Sequence, residues 1–223
     1  MLKLQVRILL CSLTLALAGC ATQDTRHFVR ISIPEQKMLV LDKERGVELA
    51  RYDVSTSKFG VGDRPGSFAT PLGTMEIAKK IGDGEPSGMK FHGRRPTGEI
   101  VPPNTPGRDP IVSRILWLRG LQFQNARAFS RAIYIHGTAE ESKIGIPASY
   151  GCIRMRSRDV IQLYDIVGVG ARVEVTLEAL PKPPAETRPV EVNSGSKPTL
   201  APAQPVGTPS SPMAGALPPP HRG

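Results

Sequence analysis

From residue 28 to residue 178 apolar side chains recur mostly at every second position, and this period constrains the fold more than any other feature. Period two belongs to strands, whose successive side chains point to opposite faces. "HFVRISIP" sets Phe28 on one face and Val29, Ile31 and Ile33 on the other. "KMLVLDK" and "VELARYDVST" follow as two strands joined by a turn at Glu44-Arg45-Gly46. "LGTMEIAKKI", "IVSRILWLRGL" and "RAIYIHG" read as further strands, and "ARVEVTL" closes the series with Ala171, Val173, Val175 and Leu177 on one face. The period changes once. After "SYGC", Val160, Leu163, Tyr164 and Val167 recur at helical spacing, Ser157 is placed to cap the helix, and Gly168 and Gly170 follow its end. Residues 82–110, rich in Gly, Pro and charge, contain no periodic segment and read as a cap or substrate-facing flap. The expectation is a mainly β domain over residues 28–178, a sandwich or partly open barrel with one clear helix after the turn.

The two ends do not join this domain. Residues 179–223 hold 12 of the 22 prolines, all from Pro181 onward, and almost no large apolar residue. Such a segment buries too little to offset its ordering entropy and is expected to be disordered. At the other end Lys3 and Arg7 precede an apolar run from Ile8 to Ala18 and then Leu17-Ala18-Gly19-Cys20. This is the pattern of a secretory signal, residues 1–19, ending in a lipobox, with Cys20 as the lipid-bearing residue and residues 20–27 as the tether. The expected location is the periplasmic face of a bacterial membrane. Ala21, where an Asp would favour inner-membrane retention, points to the outer membrane. The chain carries a net charge of +9. An exported basic surface suits carboxylate-rich wall polymers, and no nucleic-acid motif is visible.

Removal of the signal takes Cys11 away, and acylation occupies Cys20. Cys152 is then the single free thiol, and no internal disulfide can form. An odd exported cysteine is either a reactive thiol or an inert buried one, and the count does not separate them. A reactive thiol needs a base, because at its ordinary pKa only a few per cent is thiolate near neutrality. His136, at the end of a predicted strand, is the candidate, oriented by the carbonyl of Gly137. Gly151 permits positive φ and close approach of substrate, and N–H groups beside Cys152 form a candidate oxyanion hole. His92 is a rival base inside the insertion. Four scattered histidines and one thiol have no metal-ligand spacing.

"IHGT" followed by "SYGCIRM" resembles the YkuD-type L,D-transpeptidase domain, whose motif is His-Gly, a spacer, then Ser/Thr-His-Gly-Cys, an apolar residue and Arg or Asn. The upstream "VSTS" and "TPLGTMEI", with Thr70, Pro71 and Gly73, add to the likeness. The resemblance implies a β-sandwich-like fold, no cofactor, and peptidoglycan stem peptides as partners. It implies that Cys152 attacks the carbonyl of the third stem residue and expels the following D-alanine. His136 is then the base, and an amine of a second stem resolves the thioester. Ser149, Tyr150, Gly151 and Arg154 fall on the motif's substrate and oxyanion positions. Arg154 either binds a substrate carboxylate or holds the loop. Two positions depart from the pattern: Tyr150 replaces the motif's second histidine, and Ser57 stands where glycine is common. Water as acceptor gives a carboxypeptidase or crosslink hydrolase. A third reading is a catalytically weak wall-binding lipoprotein.

Overall fold

The computed structural model describes residues 23–107 and 109–182. The signal, Cys20 and nearly all of the expected tail lie outside the described residues. Ten strands form one sheet: β1 (His27–Ser32), β2 (Lys37–Asp42), β3 (Val47–Asp53), β4 (Gly73–Ile81), β5 (Met89–His92), β6 (Arg95–Ile100), β7 (Ile111–Gly120), β8 (Tyr134–Thr138), β9 (Ile153–Met155) and β10 (Arg172–Thr176). The one α-helix among the described residues, α1 (Ser157–Ile166), packs on β7 and β8.

The sheet runs β3-β2-β1-β10-β4-β7, and the far edge of β7 continues through β8 to β9. Most pairs are antiparallel, whereas β1–β10 and β8–β9 are parallel. The two ends of this order meet. Just after β3, Ser55 exchanges two backbone hydrogen bonds of 2.9 Å with Arg154 of β9. The architecture is therefore the partly open barrel. Its main core gathers Val29, Ile31, Met38, Ile77, Leu116 and Ile135 with the predicted helix stripe of Val160, Leu163, Tyr164 and Val167.

Several local expectations are corrected. The 82–110 segment contains a hairpin, β5–β6, turned at Gly93 and Arg94, both at positive φ. Its two strands are short and β6 is exposed, so neither carries an amphipathic period long enough to read. Met89 and Phe91 of β5 enter a small apolar cluster with Ile115 and Tyr134, against which Cys152 packs. Strand β9, three residues long, was not anticipated as a strand. Ser157 does not cap α1. It is the first helical residue, and its N–H donates 2.8 Å to the Glu141 carboxylate, a cap from a distant segment. Leu177 is exposed, leaving Ala171, Val173 and Val175 as the buried face. The packed chain also extends past both expected boundaries. Asp24 holds the Gly168 N–H at 2.6 Å, and the Leu180 N–H donates 2.6 Å to Glu35.

Candidate active site

Cys152 sits at the entry to β9, and the β8–β9 register explains what surrounds it. Ile135 faces Ile153 and Gly137 faces Met155; Ile135, Ile153 and Met155 all enter the main core. Tyr134, His136, Cys152 and Arg154 therefore share the opposite face, because strand side chains alternate. His136 is paired with Arg154, one step of that alternation beyond Cys152. Strand spacing puts the two Cα atoms on the order of 8 Å apart.

The histidine is fully framed. It is buried, and its Nδ1 lies 2.8 Å from the Gly137 carbonyl oxygen. A carbonyl only accepts, so Nδ1 carries the proton and Nε2 is left as the basic nitrogen. Burial pushes the imidazole down to about 4, with Arg154 adding to the effect, so it is neutral at pH 7. Gly137 has a steric reason to be glycine. An added Cβ would lie 2.6 Å from the Val112 carbonyl oxygen, where β7 bulges between Val112 and Ile115.

The thiol is neutral as well. Its surface is only partly covered, yet burial pushes it up to about 11, against the opposing pull of the Tyr134 N–H and the charges of Arg154 and Arg131. Sγ accepts from the Tyr134 N–H at 3.4 Å and donates to the Ala132 carbonyl at 3.4 Å. Among the described residues these, and not the imidazole, are its hydrogen-bond partners. Ala132 has φ +56, an uncommon conformation for a residue with a Cβ, directly at the thiol.

Around the cysteine the turn is cross-tied. Ser149 is buried; its hydroxyl donates 2.6 Å to the Cys152 carbonyl and accepts from the Gly151 N–H at 3.2 Å. The Ser149 hydroxyl thus shapes the turn. Gly151, at φ +116, has its carbonyl held by Thr70 Oγ1 at 3.1 Å. That same Oγ1 accepts from the Ser57 N–H at 3.0 Å. Serine is compatible at position 57 because its hydroxyl donates to the Phe68 carbonyl. Arg131, in a buried pair with Asp63 at 3.0 Å, also donates to the carbonyls of Gly62 and Ala69.

Other candidates fall elsewhere. Arg154 is buried and bound by the carboxylates of Asp109 and, at 3.2 Å, Glu140. It is committed to holding the 109 and 140 segments against β9. Burial raises the Asp109 carboxyl, even with Thr138 donating to it at 2.8 Å. Tyr150 is half exposed and its hydroxyl meets Lys58 Nζ at 3.2 Å, pointing to the rim and not to the thiol. His92 is exposed on β5, whereas Phe91 beside it turns into the cluster that Cys152 touches. No group of three or more His, Cys, Asp or Glu able to hold a metal occurs among the described residues. Sequence reasoning missed Asp109, Glu140, Asp63 and Arg131. They are ordinary charged residues in loops, and only the fold brings them to the turn.

A thiol at a glycine turn, with a neutral histidine of fixed tautomer on the adjoining strand, defines a cysteine–histidine site on a half-open β-barrel. Residues 26–175 match the family model of the YkuD L,D-transpeptidase catalytic domain, and the chain belongs to that family. Over 42 residues it is 55% identical to the L,D-transpeptidase YkuD of Bacillus licheniformis, a stretch covering 19% of this chain and 26% of that relative. Over 45 residues it is 47% identical to the L,D-transpeptidase ErfK/SrfK of Escherichia coli K12, covering 20% of this chain and 14% of the relative. Among solved structures, L,D-transpeptidase 3 from Mycobacterium tuberculosis with a faropenem-derived adduct is 19% identical. That alignment covers 68% of this chain and 60% of the other, with a TM-score of 0.45.

Proposed function

We propose that this chain transfers peptidoglycan stem peptides through a thioester on Cys152. The observation that supports the reading most directly is the His136–Gly137 hydrogen bond, which leaves Nε2 as a base on the face shared with Cys152. In the first half-reaction Sγ leaves the Ala132 carbonyl and gives its proton to Nε2 as it attacks the carbonyl of the third stem residue. The S–C bond forms, and the oxyanion is met by backbone N–H groups at the turn. The Gly151 N–H is already engaged by Ser149, so the Cys152 N–H is the leading donor. The C–N bond then breaks, and the imidazolium protonates the departing D-alanine amine. In the second half-reaction an amine of another stem loses its proton to Nε2 and attacks the thioester. The new amide forms, the S–C bond breaks, and the thiol recovers its proton.

A neutral resting pair suits this sequence, because the thiolate need exist only as attack begins. Incubation with a disaccharide tetrapeptide, followed by intact-mass analysis of protein and products, tests it. The expected result is a thioester adduct on Cys152 and a crosslinked dimer. A trimmed monomer would assign water as the acceptor, and absence of both adduct and product would favour a wall-binding role.

We propose further that Cys20 carries the lipid anchor, on the strength of Leu17-Ala18-Gly19-Cys20. Packed structure begins by Asp24, so at most about 14 Å of chain would separate the lipid from the domain. Cys20→Ala is expected to leave the outer-membrane fraction. A correctly processed variant that stays membrane-bound would refute the anchor.

A further inference from the structure

Beside the nucleophile turn three aromatic rings stand together, half exposed: Phe59, Phe68 and Tyr150. Their centroids are 5.5–5.9 Å apart. Lys58 Nζ lies 4.6 Å from the Tyr150 ring centroid and 5.3 Å from that of Phe59. Its one hydrogen-bond partner among the described residues is the Tyr150 hydroxyl, and no carboxylate there pairs with it. An ammonium has three donors, so two remain for a ligand.

The patch is built, and its construction costs backbone strain. Phe68 has φ +54, a conformation rare for a bulky side chain. Its carbonyl is fixed by the Ser57 hydroxyl at 2.5 Å, and the next carbonyl, that of Ala69, by Arg131 at 2.8 Å. Thr70 ties this loop to the Gly151 carbonyl, and the Lys58 N–H donates to the Ser149 carbonyl at 3.2 Å. Rings and nucleophile turn are therefore one cross-linked unit. Clustered exposed apolar surface of this kind marks an interaction site. A cation seated on its rings selects an occupant with an anionic end and a short apolar body.

The proposed reaction offers such a group. The residue that departs carries a methyl side chain and a terminal carboxylate, which lies about 4 Å beyond the scissile carbon. Tyr150 is two residues from Cys152, so their Cα atoms are at most about 7 Å apart. Building on the transfer reaction above, we propose that Lys58, Phe59, Phe68 and Tyr150 form the subsite for the departing C-terminal residue of the stem peptide. Its carboxylate is held by Lys58 Nζ and its side chain rests on the rings.

Equilibrium binding to the Cys152→Ala chain tests this without turnover. The ligands are a free tetrapeptide ending in D-alanine carboxylate and the same peptide as its C-terminal amide. The carboxylate form is expected to bind about tenfold more tightly, and Lys58→Gln is expected to remove that advantage while leaving amide binding unchanged. Phe59→Ala/Phe68→Ala should weaken both peptides about tenfold. These side chains are exposed, so the variants are expected to fold, and circular dichroism checks it. Equal affinity for the two peptides, or a Lys58→Gln chain that still distinguishes them, overturns the subsite. So does a loss in the ring variants seen only with the disaccharide-linked peptide, which would assign the rings to the sugar. Thioester formation by the unsubstituted chain is measured separately. Its absence alongside carboxylate-selective binding would fail the transfer reading and leave the subsite standing.

Discussion

The nucleophile turn has two flanks of opposite character. On the strand flank, β8 and β9 hold His136, Gly137 and Arg154 buried, with their polar groups bound to a carbonyl or to carboxylates. On the loop flank, residues 57–70 meet the turn with half-exposed rings, an ammonium that no carboxylate among the described residues pairs with, and a strained Phe68. The difference separates two tasks. Proton transfer needs a fixed tautomer in a dry setting, whereas recognition needs surface that a ligand can still cover. Substitutions on the strand flank should therefore damage chemistry or folding, and those on the loop flank should change binding.

The sharpest break in the comparison is expected at the reacting pair. Cys152→Ser should lower transfer by at least about 10³-fold with the fold intact, since a hydroxyl is far less acidic than a thiol. His136→Ala should cost about 10²–10⁴-fold. Single-turnover adduct formation measures both, and a His136→Ala chain of near-normal rate would mean that another base serves.

Next comes Gly137→Ala. The added carbon has only 2.6 Å to the Val112 carbonyl oxygen, so β7 or β8 must shift. A loss of about 1–3 kcal/mol is expected in denaturant unfolding, together with loss of activity. Full stability in this variant would show that the β7 bulge yields easily.

The pH dependence probes the reacting pair by another route. His136 is lowered to about 4 in the folded chain. Between its ordinary value near 6.5 and about 4 the unfolded chain binds the extra proton, so stability falls as pH drops through that window. Cys152 is raised to about 11. As pH rises from the ordinary thiol value towards 11, the unfolded chain loses its proton first and stability falls again. Thermal unfolding of His136→Gln should lack the acid slope, and that of Cys152→Ala the alkaline one. In the active chain the acid limb of kcat/KM should lie nearer pH 4 than 6.5.

The smallest effect is expected at Tyr150→Phe. Its hydroxyl touches Lys58 and not the thiol, so kcat/KM should fall by about tenfold or less, mostly through KM. A large fall in kcat would place Tyr150 in the chemistry and erase the distinction between the flanks.

The strand pattern was legible because β1, β2, β4, β7 and β10 each bury one or both faces and so carry their period openly. The hairpin β5–β6 was not, since its strands are short and one of them is exposed. Neither was β9, whose three residues take their strand identity from β8 and Ser55. Cys152, His136 and Gly137 were legible as candidates through the single mature thiol, its need for a base, and the likeness of "IHGT" and "SYGCIRM" to the family motif. The cap of α1 was misread at Ser157 because its true partner, Glu141, is sixteen residues away.

The sequence by itself determined the β-rich class, the helix stripe, the thiol–imidazole candidates and the family resemblance. All of these rest on local period or on rare residue types. Tertiary structure alone decided that Arg154 is committed to Asp109 and Glu140, that Thr70 fastens Gly151, and that Tyr150 joins Phe59, Phe68 and Lys58 at the rim. Those contacts join residues 14 to 92 positions apart. No local pattern encodes them, because charge pairing, close packing and exposure depend on which segments the closing sheet brings together.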